Sequence, residues 1–260
     1  MILGYDRKDY LEHEIRLPLE ITLPKKTCHL LIAGKSGSGK SLSVLWYLWQ
    51  MLSTKESLCY IADYKGGEEY ELFESSSSYC SGDNAVALIN EFYDFFCIVR
   101  KYKIKLTKHY SLIIEEYFGL LTALQMKDKK TATELMNKIG EILAVGRGLN
   151  LGIILVVQRP DAQLFSAGAR ENFQCIISFG RTSNDAFRML GFSSELEENP
   201  TSAYTCGQAL CLVDGQEAPF ELIVPLIKND FEMKMQILTN LQKQPSINTL
   251  IDACHRQAGG

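Results

Sequence analysis

Eight consecutive residues, Gly34-Lys35-Ser36-Gly37-Ser38-Gly39-Lys40-Ser41, satisfy the pattern G-x-x-x-x-G-K-[ST] at every fixed position. The chemistry this spacing permits is the cradling of a phosphate chain. Glycines let the backbone curl until successive N–H groups point inward, and a helix starting at the end of the loop adds its positive end. Lys40 is placed to reach the β- and γ-phosphates of ATP. Ser41 is placed to offer a hydroxyl to Mg²⁺, which takes oxygen ligands in near-octahedral geometry. A second pair of chemical groups, Glu115 and Glu116, directly follows the apolar run Ser111-Leu112-Ile113-Ile114. Alone, two adjacent glutamates read as a solvated turn. Combined with the loop, they can share the acidic work of phosphate-ester hydrolysis, one holding the hydration shell of Mg²⁺ and the other orienting the attacking water.

Such groups need strands and helices to hold them. The apolar run His29 to Ala33 predicts a strand entering the loop, and Ser41 to Leu52 a helix leaving it. Leu58 to Ala62, Tyr110 to Ile114, Leu151 to Val157 and Cys175 to Phe179 are further short apolar runs, as expected of parallel strands covered on both faces. Helical periodicity falls at Asn84 to Lys103, Thr131 to Val145 and Asn184 to Leu190. Later, Ala209 to Val213 and Phe220 to Val224 flank Asp214-Gly215 as a β-hairpin, and Phe231 to Gln242 reads as a closing helix. The expectation is an α/β chain forming one unit over residues 1–260. Residues 1–26 form an extended lead-in with edge strands around Pro18 and Pro24, and residues 229–260 a closing helix and tail. Ser75 to Ser78 reads as a loop.

Four stretches carry a resemblance to the FtsK/SpoIIIE branch of the FtsK–HerA family of DNA-pumping ATPases. Ile61-Ala62-Asp63-Tyr64-Lys65-Gly66-Gly67 is similar to the family's strand ending in Asp-x-Lys-Gly, and Ile114-Glu115-Glu116-Tyr117 stands where the family has Asp-Glu and an apolar or aromatic residue. Gly146-Arg147-Gly148 through Val157-Gln158-Arg159-Pro160 resembles its Gly-Arg stretch, strand and Gln-Arg-Pro. Gly207 to Gly215 resembles its late glycine-rich hairpin. The resemblance implies a P-loop NTPase with a RecA-like, mostly parallel sheet flanked by helices and followed by a C-terminal β-hairpin and helix. It implies ATP bound by Gly34 through Ser41, with Mg²⁺ at Ser41 and Glu115. Lys40 and Glu116 would be catalytic, Gln158 a polar sensor of the γ-phosphate or its water, and Arg147 an arginine finger for a neighbour's ATP. Glu115 departs from the family's aspartate. A homo-hexameric ring is also implied, with double-stranded DNA gripped in its channel through the backbone, independent of sequence.

Composition limits the partners. The net charge of −4 gives no global field toward nucleic acid, so any DNA contact is local. Lys127, Lys129 and Lys130 are one candidate cluster, and Lys101, Lys103, Lys105 and Lys108 another. For both, a solvated helix end or loop is the favoured reading over a DNA contact. Eight cysteines without a C-x-x-C pair argue against a structural zinc site or disulfide framework and point to the reducing cytoplasm. No apolar signal core opens the chain and no stretch is apolar over the ~18 residues a membrane span needs, so membrane attachment is expected only through a membrane-bound partner protein. Two other functions fit the residues. Asp63-Tyr64-Lys65-Gly66-Gly67 also suits an ATPase module of type VII protein secretion. Glu115 in place of aspartate suits an assembly module that binds ATP with little turnover.

Overall fold

A strand covered on both faces is apolar at every position, and the chain supplies several such runs. The computed structural model describes residues 1–161 and 169–258. β1 (Ile2–Asp6), α1 (Arg7–His13) and β2 (Pro18–Glu20) precede β3 (Leu30–Gly34), which leads through the glycine-rich loop into α2 (Lys40–Ser53). β4 (Ser57–Asp63), β5 (Tyr79–Ser81) and α3 (Asn84–Tyr102) follow, then β6 (His109–Glu115), α4 (Tyr117–Lys127), α5 (Lys129–Val145) and β7 (Leu151–Val157). The last third holds β8 (Cys175–Phe179), α6 (Asn184–Met189), β9 (Gln208–Val213), β10 (Phe220–Ile223), α7 (Asp230–Lys243) and α8 (Ile247–Ala258).

Among the described residues one sheet runs in the order β2-β1-β10-β9-β8-β3-β7-β6-β4-β5. From β8 to β5 the strands pair in parallel, and from β2 to β8 they pair antiparallel. Alternation along β3 divides the core: Leu31 and Ala33 join Phe92 and Phe96 of α3 and Ile139 of α5, while Leu30 and Ile32 join Leu45 and Leu48 of α2 and Ile237 of α7. α3 forms because Leu88, Phe92, Phe95, Phe96 and Val99 recur on one stripe, and it stops where Lys103 turns left-handed at φ 52°. α5 starts at Asp128, whose side chain accepts from the N–H of Lys130 at 2.9 Å and of Thr131 at 3.3 Å. The order β3-β7-β6 sets the C-terminal ends of three strands side by side, the place where an open parallel sheet receives its ligands.

The lead-in is not simply extended. β1 pairs with both β2 and β10, so it lies inside the sheet, and α1 follows it, with Asp6 accepting from the Asp9 N–H at 2.9 Å. α1 buries none of its residues, so no apolar period marked it. The segment after residue 229 is likewise more than one helix and a tail. α8 follows Pro245, starts with the Thr249 N–H donating to Ser246 Oγ at 3.3 Å, and buries Ile247 and Cys254 in the same core as α3. Residues 259–260 lie outside the described residues. Among the described residues no helix is long and apolar enough to cross a membrane.

Candidate nucleotide site

β3 delivers the chain into a loop that only glycine can follow at three points. A Cβ on Gly34 would stand 2.6 Å from Ser38 Oγ, and one on Gly39, at φ 90°, 2.9 Å from the Gly207 nitrogen. Gly37, at φ 77°, faces open space, with no atom within 4 Å of where its Cβ would be. The loop therefore closes against Gly207 on one side and leaves its tip free, a concavity of the size and lining an anion needs. Gly39 caps α2, so the first turn of a 14-residue helix opens on the concavity. Lys40 is only 5% exposed, and Ser38 Oγ is buried with no hydrogen-bond partner among the described residues. A buried cation and an orphan hydroxyl fit a bound phosphate. Ser41 is half-buried on the same cleft, which measures about 260 Å³ and is also lined by Lys35, Ser36, Lys65, Glu69, Glu116, Gln158 and Cys206.

The two glutamates separate at the end of β6. Strand alternation turns Glu115 inward, where it is 2% exposed and accepts a short hydrogen bond from the Tyr70 hydroxyl. Burial pushes its carboxyl up to about 7, opposed by the Tyr70 hydrogen bond and the Lys40 charge. Burial, with the Glu115 charge added, pushes the Tyr70 hydroxyl well above its ordinary range. Glu116 instead adopts φ 53°, ψ 40° and caps α4. That single left-handed residue swings its carboxylate toward β7, where Gln158 Nε2 donates to Glu116 Oε1 at 2.6 Å.

β4 contributes a third strand end. Asp63, 1% exposed, accepts from the Lys65 N–H at 3.1 Å, the Gly67 N–H at 2.8 Å and the Tyr79 hydroxyl at 3.1 Å. The carboxylate folds its own following loop, with Gly66 at φ 63°, and so brings Lys65 and Glu69 to the cleft.

Compared with profiles of known protein families, the chain matches none. The Ftsk domain-containing protein YdcQ of Bacillus subtilis (strain 168) is 23% identical over 126 residues, which is 48% of this chain and 25% of that protein. The match thus spans a quarter of that relative's length. Among solved structures, the pCW3 conjugation coupling protein TcpA in its monomer form with ATPγS superposes with a TM-score of 0.61 at 20% identity, over 85% of this chain and 67% of that one. The cytoplasmic domain of the type VII secretion ATPase EccC of Thermomonospora curvata gives 0.63 at 18% identity, over 95% and 31%. ATPases 2 and 3 of EssC from Geobacillus thermodenitrificans give 0.64 at 14% identity, over 98% and 49%. The chain shares the fold of these solved structures.

On this fold the residues of the loop, Glu116 and Gln158 gather at one pole of the sheet. Glu115 does not line the cleft: it is buried, with the Lys40 charge acting on its carboxyl, whereas Ser41 presents its hydroxyl at the cleft surface. Arg147 is elsewhere. It sits exposed on the 3-10 turn Gly146–Leu149 before β7, separated from Gln158 by the whole strand, ~23 Å at 3.3 Å per residue. The guanidiniums at the loop's pole are Arg159 and Arg181, which line an adjoining cleft of about 500 Å³ with Gly34, Lys35 and Thr182. The two lysine clusters also part ways. Lys127 pairs with Asp83 at 3.3 Å and Lys130 with Glu134 at 3.9 Å, whereas Lys101, Lys103, Lys105 and Lys108 form no ion pair among the described residues. Sequence reasoning assigned no role to Lys65, Glu69 or Cys206. Lys65 stood in a recognised motif, but nothing in the chain near Glu69 or Cys206 signalled that folding would carry them to the cleft.

Proposed function

We propose that this chain is an ATP-hydrolysing motor module that moves DNA. The observation that carries the catalytic half of this reading is the 2.6 Å bond from Gln158 to Glu116 on the rim of the loop cleft. A phosphate cradle alone only binds. A carboxylate held in place by an amide beside that cradle can also take up the proton of an attacking water. In this reading Lys40 engages the β- and γ-phosphates, Ser41 and, through water, Glu115 hold Mg²⁺, and Gln158 fixes the rotamer of Glu116 until substrate enters. Mg²⁺, when bound, neutralises charge on the phosphate oxygens. Arg147, at the far pole, is given no part in the chemistry of its own chain's cleft, which leaves a neighbour's ATP as the place where it would act as a finger.

The DNA half rests on the resemblance and on relatives. TcpA is a conjugation coupling protein, and the resemblance to FtsK-type motors implies a duplex gripped inside a ring. We extend to this chain a homo-hexameric ring, a cytoplasmic site of action and recruitment by a membrane-bound partner protein. A second reading, an ATPase module of protein secretion, is favoured by the coverage of 95% and 98% of this chain by EccC and EssC, and by the Gly66-Gly67 pair.

The two separate in one assay, ATP hydrolysis with and without linear double-stranded DNA at low and moderate salt, with Lys40→Ala as the blank. Lys40-dependent hydrolysis that rises several-fold on adding DNA, most at low salt, is the expected result. No stimulation at any salt, with ATP still bound, would transfer the motor to a protein substrate.

A further inference from the structure

Two segments at the pole of the sheet opposite the nucleotide cleft are basic, in a chain that is acidic overall. Residues 100–108 and 146–150, which enter β6 and β7, contain six cations and no carboxylate, while the whole chain carries −4. They meet: Asn150 Nδ2 donates to the Leu106 carbonyl at 2.9 Å, and the two segments line a groove of about 440 Å³. The groove is built by the backbone. Lys103 and Asn150 are both left-handed, at φ 52° and 59°, and Gly148 leaves open space where a side chain would stand.

Not all six cations are free for a partner. Arg100 is paired with Glu141, and Lys101 lies in the last turn of α3, where the helix end favours a cation, with its ammonium 5.2 Å from the Tyr102 ring. Lys103, Lys105, Lys108 and Arg147 are exposed, and among the described residues none of them forms an ion pair. Like charges gathered at one groove repel one another, and a polyanion relieves that repulsion while releasing its own counterions.

We infer that this groove between residues 103–108 and 147–150 is where the chain holds the sugar–phosphate backbone of nucleic acid. The inference rests on the motor reading above and gives it a contact surface. It places polymer and ATP at opposite poles, so the two bind without competition. The loops that line the groove enter β6 and β7, the same strands that end on Glu116 and Gln158, so two strands join the polymer contact to the hydrolytic pair. Phosphate contacts of this kind set affinity and position and leave base sequence unread.

The test is fluorescence anisotropy of a labelled random-sequence duplex with the full chain, titrated across a salt series. Wild type is compared with Lys103→Glu/Lys105→Glu and with the control Lys129→Glu/Lys130→Glu, which changes net charge equally at a different place. Binding of ATPγS by each variant checks that the fold is intact. The groove variant should lose about tenfold or more in duplex affinity and about two from the salt slope, with ATPγS affinity unchanged and the control near wild type. Equal duplex binding by the groove variant, or an equal loss in the control, overturns the groove while leaving the motor reading in place. A wild-type chain that ignores the duplex but binds phosphatidylserine vesicles through Lys103 and Lys105 overturns both.

Discussion

Glu116 occupies a backbone conformation that costs a non-glycine residue about 1–2 kcal/mol, and it does so at the last step from strand to helix. The cost has a local return: after strand alternation has turned Glu115 into the core, one left-handed residue sends Glu116 to the cleft. Glu115 stands where the family has aspartate, and its extra methylene lets the carboxylate, rooted at the end of β6, reach the Tyr70 hydroxyl. The sequence showed two acids at a strand end. It could not show which faced inward, because that depends on the alternation of a buried strand and one αL residue. Gln158 was visible as a strand-end amide, yet its bond to Glu116 depends on β7 lying between β3 and β6. Gln158→Ala should free the Glu116 side chain, lowering kcat by roughly tenfold to a hundredfold with KM for ATP changed less than about threefold. Steady-state kinetics checks this, and a change confined to KM would give Gln158 a binding role instead.

At the scale of elements, the parallel strands were legible because burial on both faces leaves an uninterrupted apolar run. Their ends agree within one residue of the runs at 58–62, 110–114, 151–157 and 175–179. Elements without such a signature were missed. α4 is apolar nearly all round, so no helical period stands out, β5 is three residues long, and α1 buries nothing. The N-terminal ends of β3 and β6 also hide two histidines. His109 is bonded to Thr27 Oγ1 at 3.1 Å and Ser111 Oγ at 2.7 Å, and His29 Nδ1 accepts from the Ile153 N–H at 3.0 Å. Burial lowers His109 to about 4, and burial with the Arg147 charge lowers His29 to about 3. Neutral in the folded state, both ionise in the unfolded chain below its ordinary pKa of about 6.5, so their contribution is complete above that pH and is lost as pH falls toward 4. Each accounts for a loss of about 2 kcal/mol between pH 7 and pH 5, while Glu115, with its raised pKa, works in the opposite direction over the same window. The change in stability over that interval, measured by urea unfolding, should therefore be about 2 kcal/mol less adverse in His109→Asn than in wild type. An identical pH slope in the two proteins would place His109 in contact with solvent.

For the whole molecule, the arrangement is polar in the geometric sense. The loop cleft lies at the C-terminal ends of the parallel strands and the unpaired cations of residues 103–108 and 147 at the N-terminal ends of β6 and β7, with the sheet between. Net charge alone concealed this, since −4 is a sum over the whole chain and does not say where the cations gather. Arg147 belongs to the basic pole by position, so Arg147→Ala should leave DNA-free ATP hydrolysis within about twofold and lower duplex affinity by roughly threefold to tenfold. Loss of DNA-free hydrolysis, rescued by mixing with Lys40→Ala subunits, would instead assign Arg147 to a neighbour's active site. In the proposed motor, Glu116 drives hydrolysis of ATP held by the loop at Lys40. Phosphate release by Glu116→Gln, set beside its ATP affinity from calorimetry, tests it most directly. Wild-type ATP affinity with turnover reduced by about a hundredfold or more is expected, and turnover equal to that of wild type would contradict this role for Glu116.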